Sequence, residues 1–138
     1  YAAEDARFSQ IFTRIGLSSD GGGAYFLPQK VGYHKAFELM ATNRMVDAQE
    51  ALSLGLVNHV FLNDQIQEEV EKMAKVLAGG PFLAIQHSKA NLRVGTTQDL
   101  AAALDAEAVH QGANFKSQDF FEGVMAFIQK RKAKFQGK

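Results

Sequence analysis

The rhythm of apolar and polar positions changes once along the chain. Up to about Leu62, short β-prone runs alternate with short amphipathic patches; from Asn63 onward, apolar residues recur at three- and four-residue intervals. This predicts an α+β body over residues 1–62 followed by an all-α region over residues 63–138. No internal repeat, low-complexity tract or long linker interrupts either part.

Within the body, Ala6 to Phe12 reads as a short strand or extended segment. Gly16 to Gly23 reads as a loop that opens onto a short helix, beginning with Ala24-Tyr25-Phe26-Leu27. Gly32 separates it from a longer helix over roughly Tyr33 to Thr42, with Ala36, Leu39 and Met40 on one face. Asp47-Ala48-Gln49-Glu50 has the spacing of a capping box, in which the aspartate accepts from a free backbone N–H and the glutamate reaches back; Gly55 then supplies a left-handed stop. Leu56 to Phe61 is β-rich and should return the chain to a sheet.

Four helices are expected in the second part. Ile66, Val70, Met73, Ala74 and Leu77 mark the first, and Gly79-Gly80-Pro81 ends it and starts the second, which continues through Ile85 and Leu92. Thr96 or Thr97 is expected to cap a third helix carrying Leu100, Leu104 and Ala108. Ser117 is expected to cap a fourth carrying Phe120, Val124, Phe127 and Ile128.

Composition narrows the function classes. At 138 residues and 46% apolar content the chain can build a core. Its 15 basic and 15 acidic side chains are interleaved, which leaves no global field for nucleic acid or an anionic membrane. Without cysteine there is no disulfide, thiolate metal site or cysteine nucleophile. No apolar run approaches the roughly 20 residues of a membrane span, and Tyr1 to Asp5 lacks the features of a signal peptide, so a soluble, cytoplasmic protein is expected, an organelle matrix being the other compartment compatible with it.

Candidate chemistry centres on Asp20, a carboxylate beside Gly21-Gly22-Gly23 and an apolar helix start, where a general base can gain access to a cleft. The competing reading, favoured by local pattern alone, is that Asp20 only caps the helix that follows. The glycine run matches neither Walker nor dinucleotide spacing. His34, His59, His87 and His110 are far apart with no metal-binding spacing, and surface or satisfied-core roles are expected. There is no Gly-x-Ser-x-Gly elbow. The basic run Lys130 to Lys134 reads as a solvated helix end, with a phosphate-bearing ligand as the sharper alternative.

Ala6-Arg7-Phe8, Gly16-Leu17 with Asp20 to Gly23, Ala36 to Leu39, Ala48 to Ala51, Gly55 to Asn58 and the ending Phe127 to Phe135 resemble, in order and spacing, the crotonase (enoyl-CoA hydratase/isomerase) family across essentially the whole chain. The resemblance implies that residues 1–62 are the C-terminal part of a crotonase core, an α+β spiral, and that residues 63–138 are a helical region for trimerisation and CoA contact. A family domain is roughly 250 residues, so the chain looks like its C-terminal half, with Tyr1 at a mid-domain break. The missing N-terminal half would carry both oxyanion-hole N–H donors, and the chain alone is expected to be inactive.

Family hydratases place a catalytic glutamate where Phe12 stands and a glycine where Asp20 stands, so both positions depart from that pattern. A carboxylate at Asp20 resembles the isomerase-like branch. The resemblance puts Phe12 and Leu17 on the acyl-binding side, with Phe12 helping to keep the pocket dry. It puts Phe127 and Lys130 on a last helix that meets, from a neighbouring subunit, the adenine and 3'-phosphate of CoA, Lys130 supplying a point charge. It implies an acyl-CoA thioester as substrate, no separate cofactor, no metal, and a homotrimer or dimer of trimers. A hydratase, and a non-catalytic CoA-binding or trimeric scaffold member, are the alternatives.

Overall fold

The computed structural model describes residues 1–138. They form two compact units, Tyr1–Glu71 and Lys72–Lys138, and a helix, α4 (Ile66–Ala78), runs from the first into the second.

The first unit holds two small ladders. β1 (Ala2–Ala3) pairs in parallel with β4 (Val60–Phe61), and β2 (Arg7–Phe8) pairs antiparallel with β3 (Val46–Asp47). Two expected strands are therefore shorter than predicted. After Phe8 the chain leaves the ladder and winds into a 3-10 turn, Phe12–Ile15. Thr13 Oγ1 donates to the Met40 carbonyl (2.7 Å), and the Arg14 N–H donates to Asn43 Oδ1 (3.0 Å), which ties the turn to the end of the Tyr33–Thr42 helix and gives the Arg14 N–H a partner outside any ladder. Leu56 and Val57 likewise stay out of β4, because their N–H groups donate to the Ala51 carbonyl.

Three helices lie between the strands: α1 (Gly23–Val31), α2 (Tyr33–Thr42) and α3 (Ala48–Ser53). Gly32, at φ 77°, makes the corner between α1 and α2. Ala36 and Leu39 are buried on the inner face of α2, as the periodicity requires. Asp47 caps α3 by accepting from the Glu50 N–H (2.8 Å). Glu50 does not reach back to complete a capping box; Arg44 takes its carboxylate in a fork at 2.8 and 2.6 Å. Gly55, at φ 72°, closes α3 with the Gly55 N–H on Leu52 O and the Leu56 N–H on Ala51 O, the paired bonds of a Schellman motif.

The core of this unit is Leu39, Val46 and Ala51, flanked by Phe8, Leu27, Leu54, Leu56 and Val57. Ala48 and Ala51 are wholly enclosed, so α3 approaches its neighbours at a distance that only a methyl side chain fits.

The second unit contains α5 (Phe82–Thr97), α6 (Leu100–Asn114) and α7 (Gln118–Ile128). Pro81 precedes α5 as its N-cap residue, and Ser117 caps α7 by accepting from the Phe120 N–H (3.1 Å). The cap of α6 differs from expectation. Asp99 accepts from the Ala102 N–H (2.9 Å), whereas Thr96 and Thr97 belong to the last turn of α5 and donate back to the Arg93 carbonyl. A carboxylate placed directly before the first turn displaces a threonine whose hydroxyl is already satisfied within the preceding helix. The apolar stripes of these helices stay largely open: Leu92, Leu100, Leu104, Phe127 and Ile128 are all more than half exposed. No helix is long and apolar enough to cross a membrane.

Candidate active site

The Asp20 loop is assembled from both ends. At its start, the Leu17 N–H donates to the Phe12 carbonyl (3.0 Å) and Gly16 adopts φ 77°, so the 3-10 turn brings the Phe12 and Leu17 backbones together. Asn43 anchors that turn: its side chain meets Thr13 and the Arg14 N–H, and its own carbonyl accepts from Ser9 Oγ (2.9 Å). At the far end, the Gly23 N–H donates to the Asp20 carbonyl (2.9 Å), closing a turn over Gly21 and Gly22. Ser19 Oγ donates to Gln10 Oε1 (3.1 Å), tying the loop to the segment that leaves β2.

Gly22 is required by its backbone: its φ is 84°, and a Cβ there would also push aside the exposed Phe26 ring, 2.8 Å away. Gly22 is also the N-cap residue of α1, and no side chain caps that helix. The competing reading of Asp20 as a helix cap is therefore overturned. Its carboxylate is exposed and accepts no hydrogen bond from the chain, while the backbone of the same residue holds the turn. A carboxylate held on a fixed turn and not spent on capping is free to take a proton from a bound molecule.

Leu17 is 57% exposed and Phe12 half-buried. Phe127 and Lys130 lie together at the end of α7 in the second unit. Phe127 is 85% exposed, and Lys130 is exposed with φ 51°. A separate cavity of about 460 Å³ in the first unit is lined by Phe8, Gln10, Leu27, Leu39 and Arg44 among others. It includes none of Phe12, Leu17 or Asp20, and of its two arginines, Arg7 and Arg44, the second is already committed. Glu38 and Glu50 both pair with Arg44. Hydrogen bonds from Lys35 and then Arg44 hold the Glu38 carboxyl below its ordinary range; those from Arg44 do the same for Glu50.

Sequence spacing missed one side-chain cluster. His87 on α5 and His110 on α6 stack with ring centroids 4.4 Å apart and planes 13° from parallel. His87 Nδ1 meets Asn114 Oδ1 at 2.7 Å, and His110 Nδ1 meets Asn91 Oδ1. These crossed pairs make the two helices antiparallel. The signal was present as His-x-x-x-Asn on both helices, His87/Asn91 and His110/Asn114, each pair one turn apart. Near-parallel ring planes do not let two nitrogen lone pairs converge on one ion at about 2 Å, and no group of three or more candidate metal-ligating side chains occurs.

The family model for enoyl-CoA hydratase/isomerase matches residues 1–138. A probable enoyl-CoA hydratase of Rhodobacter capsulatus is 37% identical over 137 residues, covering 99% of this chain and 53% of that protein. A 1,2-epoxyphenylacetyl-CoA isomerase of Escherichia coli is 31% identical, with 99% and 52% covered. A crystal structure of an enoyl-CoA hydratase subunit from Geobacillus kaustophilus superposes with a TM-score of 0.95 at 32% identity, over 99% of this chain and 53% of that one. This α+β body with its helical C-terminal region has the crotonase fold. The chain belongs to the enoyl-CoA hydratase/isomerase family and spans about half the length of these relatives.

Proposed function

We propose that the full-length protein containing this chain is an enoyl-CoA isomerase that moves a double bond by proton shuttling at Asp20. The observation that carries this reading is the state of that side chain: a carboxylate on a glycine-constrained turn, exposed and free of helix capping. In the reaction, Asp20 removes a proton from C2 of a 3-enoyl-CoA. The electron pair passes into the thioester carbonyl to form a dienolate, which two backbone N–H donors outside this chain stabilise. Asp20 then returns the proton at C4, leaving the 2-enoyl-CoA. Phe12, apolar where a hydratase would carry an acid, keeps a second base from delivering water. No cofactor enters the scheme, since CoA is carried by the substrate.

Replacing Asp20 by Asn in the full-length enzyme is expected to lower kcat for double-bond migration by about 10²–10⁴-fold, the usual contribution of a general base. Undiminished migration by that variant would end the proposal. Hydration of a 2-enoyl-CoA is the second reading, supported by the names of the Rhodobacter and Geobacillus relatives. Assaying hydration and migration side by side on the full-length protein separates the two.

At the CoA end, Phe127 and Lys130 supply an exposed ring and an unpaired ammonium one turn apart, suited to an adenine face and a phosphate. The open apolar stripes of α5, α6 and α7 support homotrimer or dimer-of-trimers assembly through this region.

A further inference from the structure

Two carboxylates on α7 bind the chain's own last residues. Asp119 is buried, 3% exposed, and accepts from the Gln136 N–H (2.7 Å) and the Gly137 N–H (2.9 Å), while its own N–H donates to the Lys138 carbonyl (3.0 Å). One turn on, Glu122 receives the Arg131 guanidinium as a fork at 2.6 and 2.8 Å and the Lys134 N–H at 2.7 Å. Residues after α7 are thus folded back along the helix they leave, and Phe135 closes over Gly123, where an added Cβ would lie 3.5 Å from its ring.

The turn that starts this return is a Schellman motif: the Lys130 N–H donates to Phe127 O and the Arg131 N–H to Ala126 O. Its left-handed residue is Lys130, at φ 51°, in the position glycine normally fills. A lysine there is disfavoured by its Cβ and persists only where the surroundings fix the turn. Arg131, the next residue, is spent on Glu122, whereas Lys130 pairs with no acid.

We infer that Asp119 and Glu122 are positioning residues for nucleotide recognition: by clamping the return segment to α7 they hold Lys130 in its left-handed turn, beside Phe127, in the geometry that receives the phosphorylated end of CoA. The inference rests on the reading of Lys130 as a CoA contact. The two carboxylates touch no ligand; they replace the entropy loss of ordering a flexible basic tail at each binding event with a tail already ordered.

The test uses the full-length enzyme with one acyl group carried on CoA and on pantetheine, which lacks the nucleotide. Asp119→Asn and Glu122→Gln are expected to raise KM for the CoA thioester about tenfold with kcat within about twofold, and to leave KM for the pantetheine thioester unchanged. Lys130→Gly suits the turn but removes the ammonium, and should raise the CoA-thioester KM although the fold is kept; combined with Glu122→Gln it should add little. An unaltered KM for Lys130→Gly overturns the reading of Lys130 itself. A raised KM for Lys130→Gly with none for either carboxylate variant overturns the positioning inference alone, as does an equal KM rise on both thioesters.

Discussion

At the residue scale, Glu122 shows how a side chain's role is set by what reaches it. The fork from Arg131 and the Lys134 N–H together hold its carboxyl down to about 2, against an ordinary value of 4.5. A group depressed in the folded state stabilises that state fully above its unfolded value and ceases to do so as the pH falls through its folded one. The destabilisation caused by Glu122→Gln should therefore be constant from pH 7 to about pH 4.5 and shrink below it, where the native glutamate progressively resembles its amide. Urea midpoints of native and variant full-length protein, measured across that range, check the window; a difference that grows on acidification would contradict it. Asp20 teaches the complementary lesson. Its identity and glycine neighbours were legible in the sequence, yet the choice between cap and free base was not, because Gly22 takes the N-cap position by adopting φ 84°, and local pattern does not fix which of four adjacent small residues turns the chain.

Among the elements, those with strong local signals appeared where the sequence puts them. Gly32 and the apolar face of Ala36 and Leu39 delimit α2 at Tyr33–Thr42, and Asp47 and Gly55 bracket α3. Asp47→Ala removes one N-cap bond and should cost about 1 kcal/mol in the full-length protein, read as a shift in denaturation midpoint at unchanged slope. A cost near zero would mean that water replaces the cap freely. Elements that depend on partners far along the chain were misjudged. Of the segment expected to be extended over Ala6 to Phe12, only Arg7–Phe8 pairs as a strand, and from Phe12 the chain winds into a 3-10 turn that Asn43, some thirty residues away, holds through Thr13 and the Arg14 N–H. Glu50 leaves the capping box because Arg44 competes for it more strongly than a backbone N–H, a charge-assisted fork outweighing a single neutral donor. The His87–His110 stack is not legible in either segment alone because it joins two helices whose alignment no single segment encodes.

For the molecule as a whole, the decisive quantity is how little of its bulky apolar surface the chain covers by itself. Of the buried hydrophobic residues, Ala2, Ala36, Ala48, Ala51 and Ala126 are alanines, and only Leu39 and Val46 are larger. By contrast Phe26, Phe37, Phe82, Leu92, Leu100 and Phe127 are each more than 60% exposed. Folded monomers rarely leave apolar side chains open in such number, and contiguous exposed patches mark surfaces that meet other protein. The amphipathic periodicity of the second unit was thus legible as helix, but not as core, because the partner that would cover each stripe is not encoded in the stripe itself. The 138-residue chain, prepared alone in dilute buffer, should elute above its 15.1 kDa mass in size exclusion and bind a hydrophobic dye such as ANS. On the proposed reading the full-length protein should bind far less dye per chain, because the proposed assembly would cover the same faces. A compact, dye-silent 15.1 kDa monomer would show instead that these side chains fold onto one another, and would remove the support they lend to trimerisation.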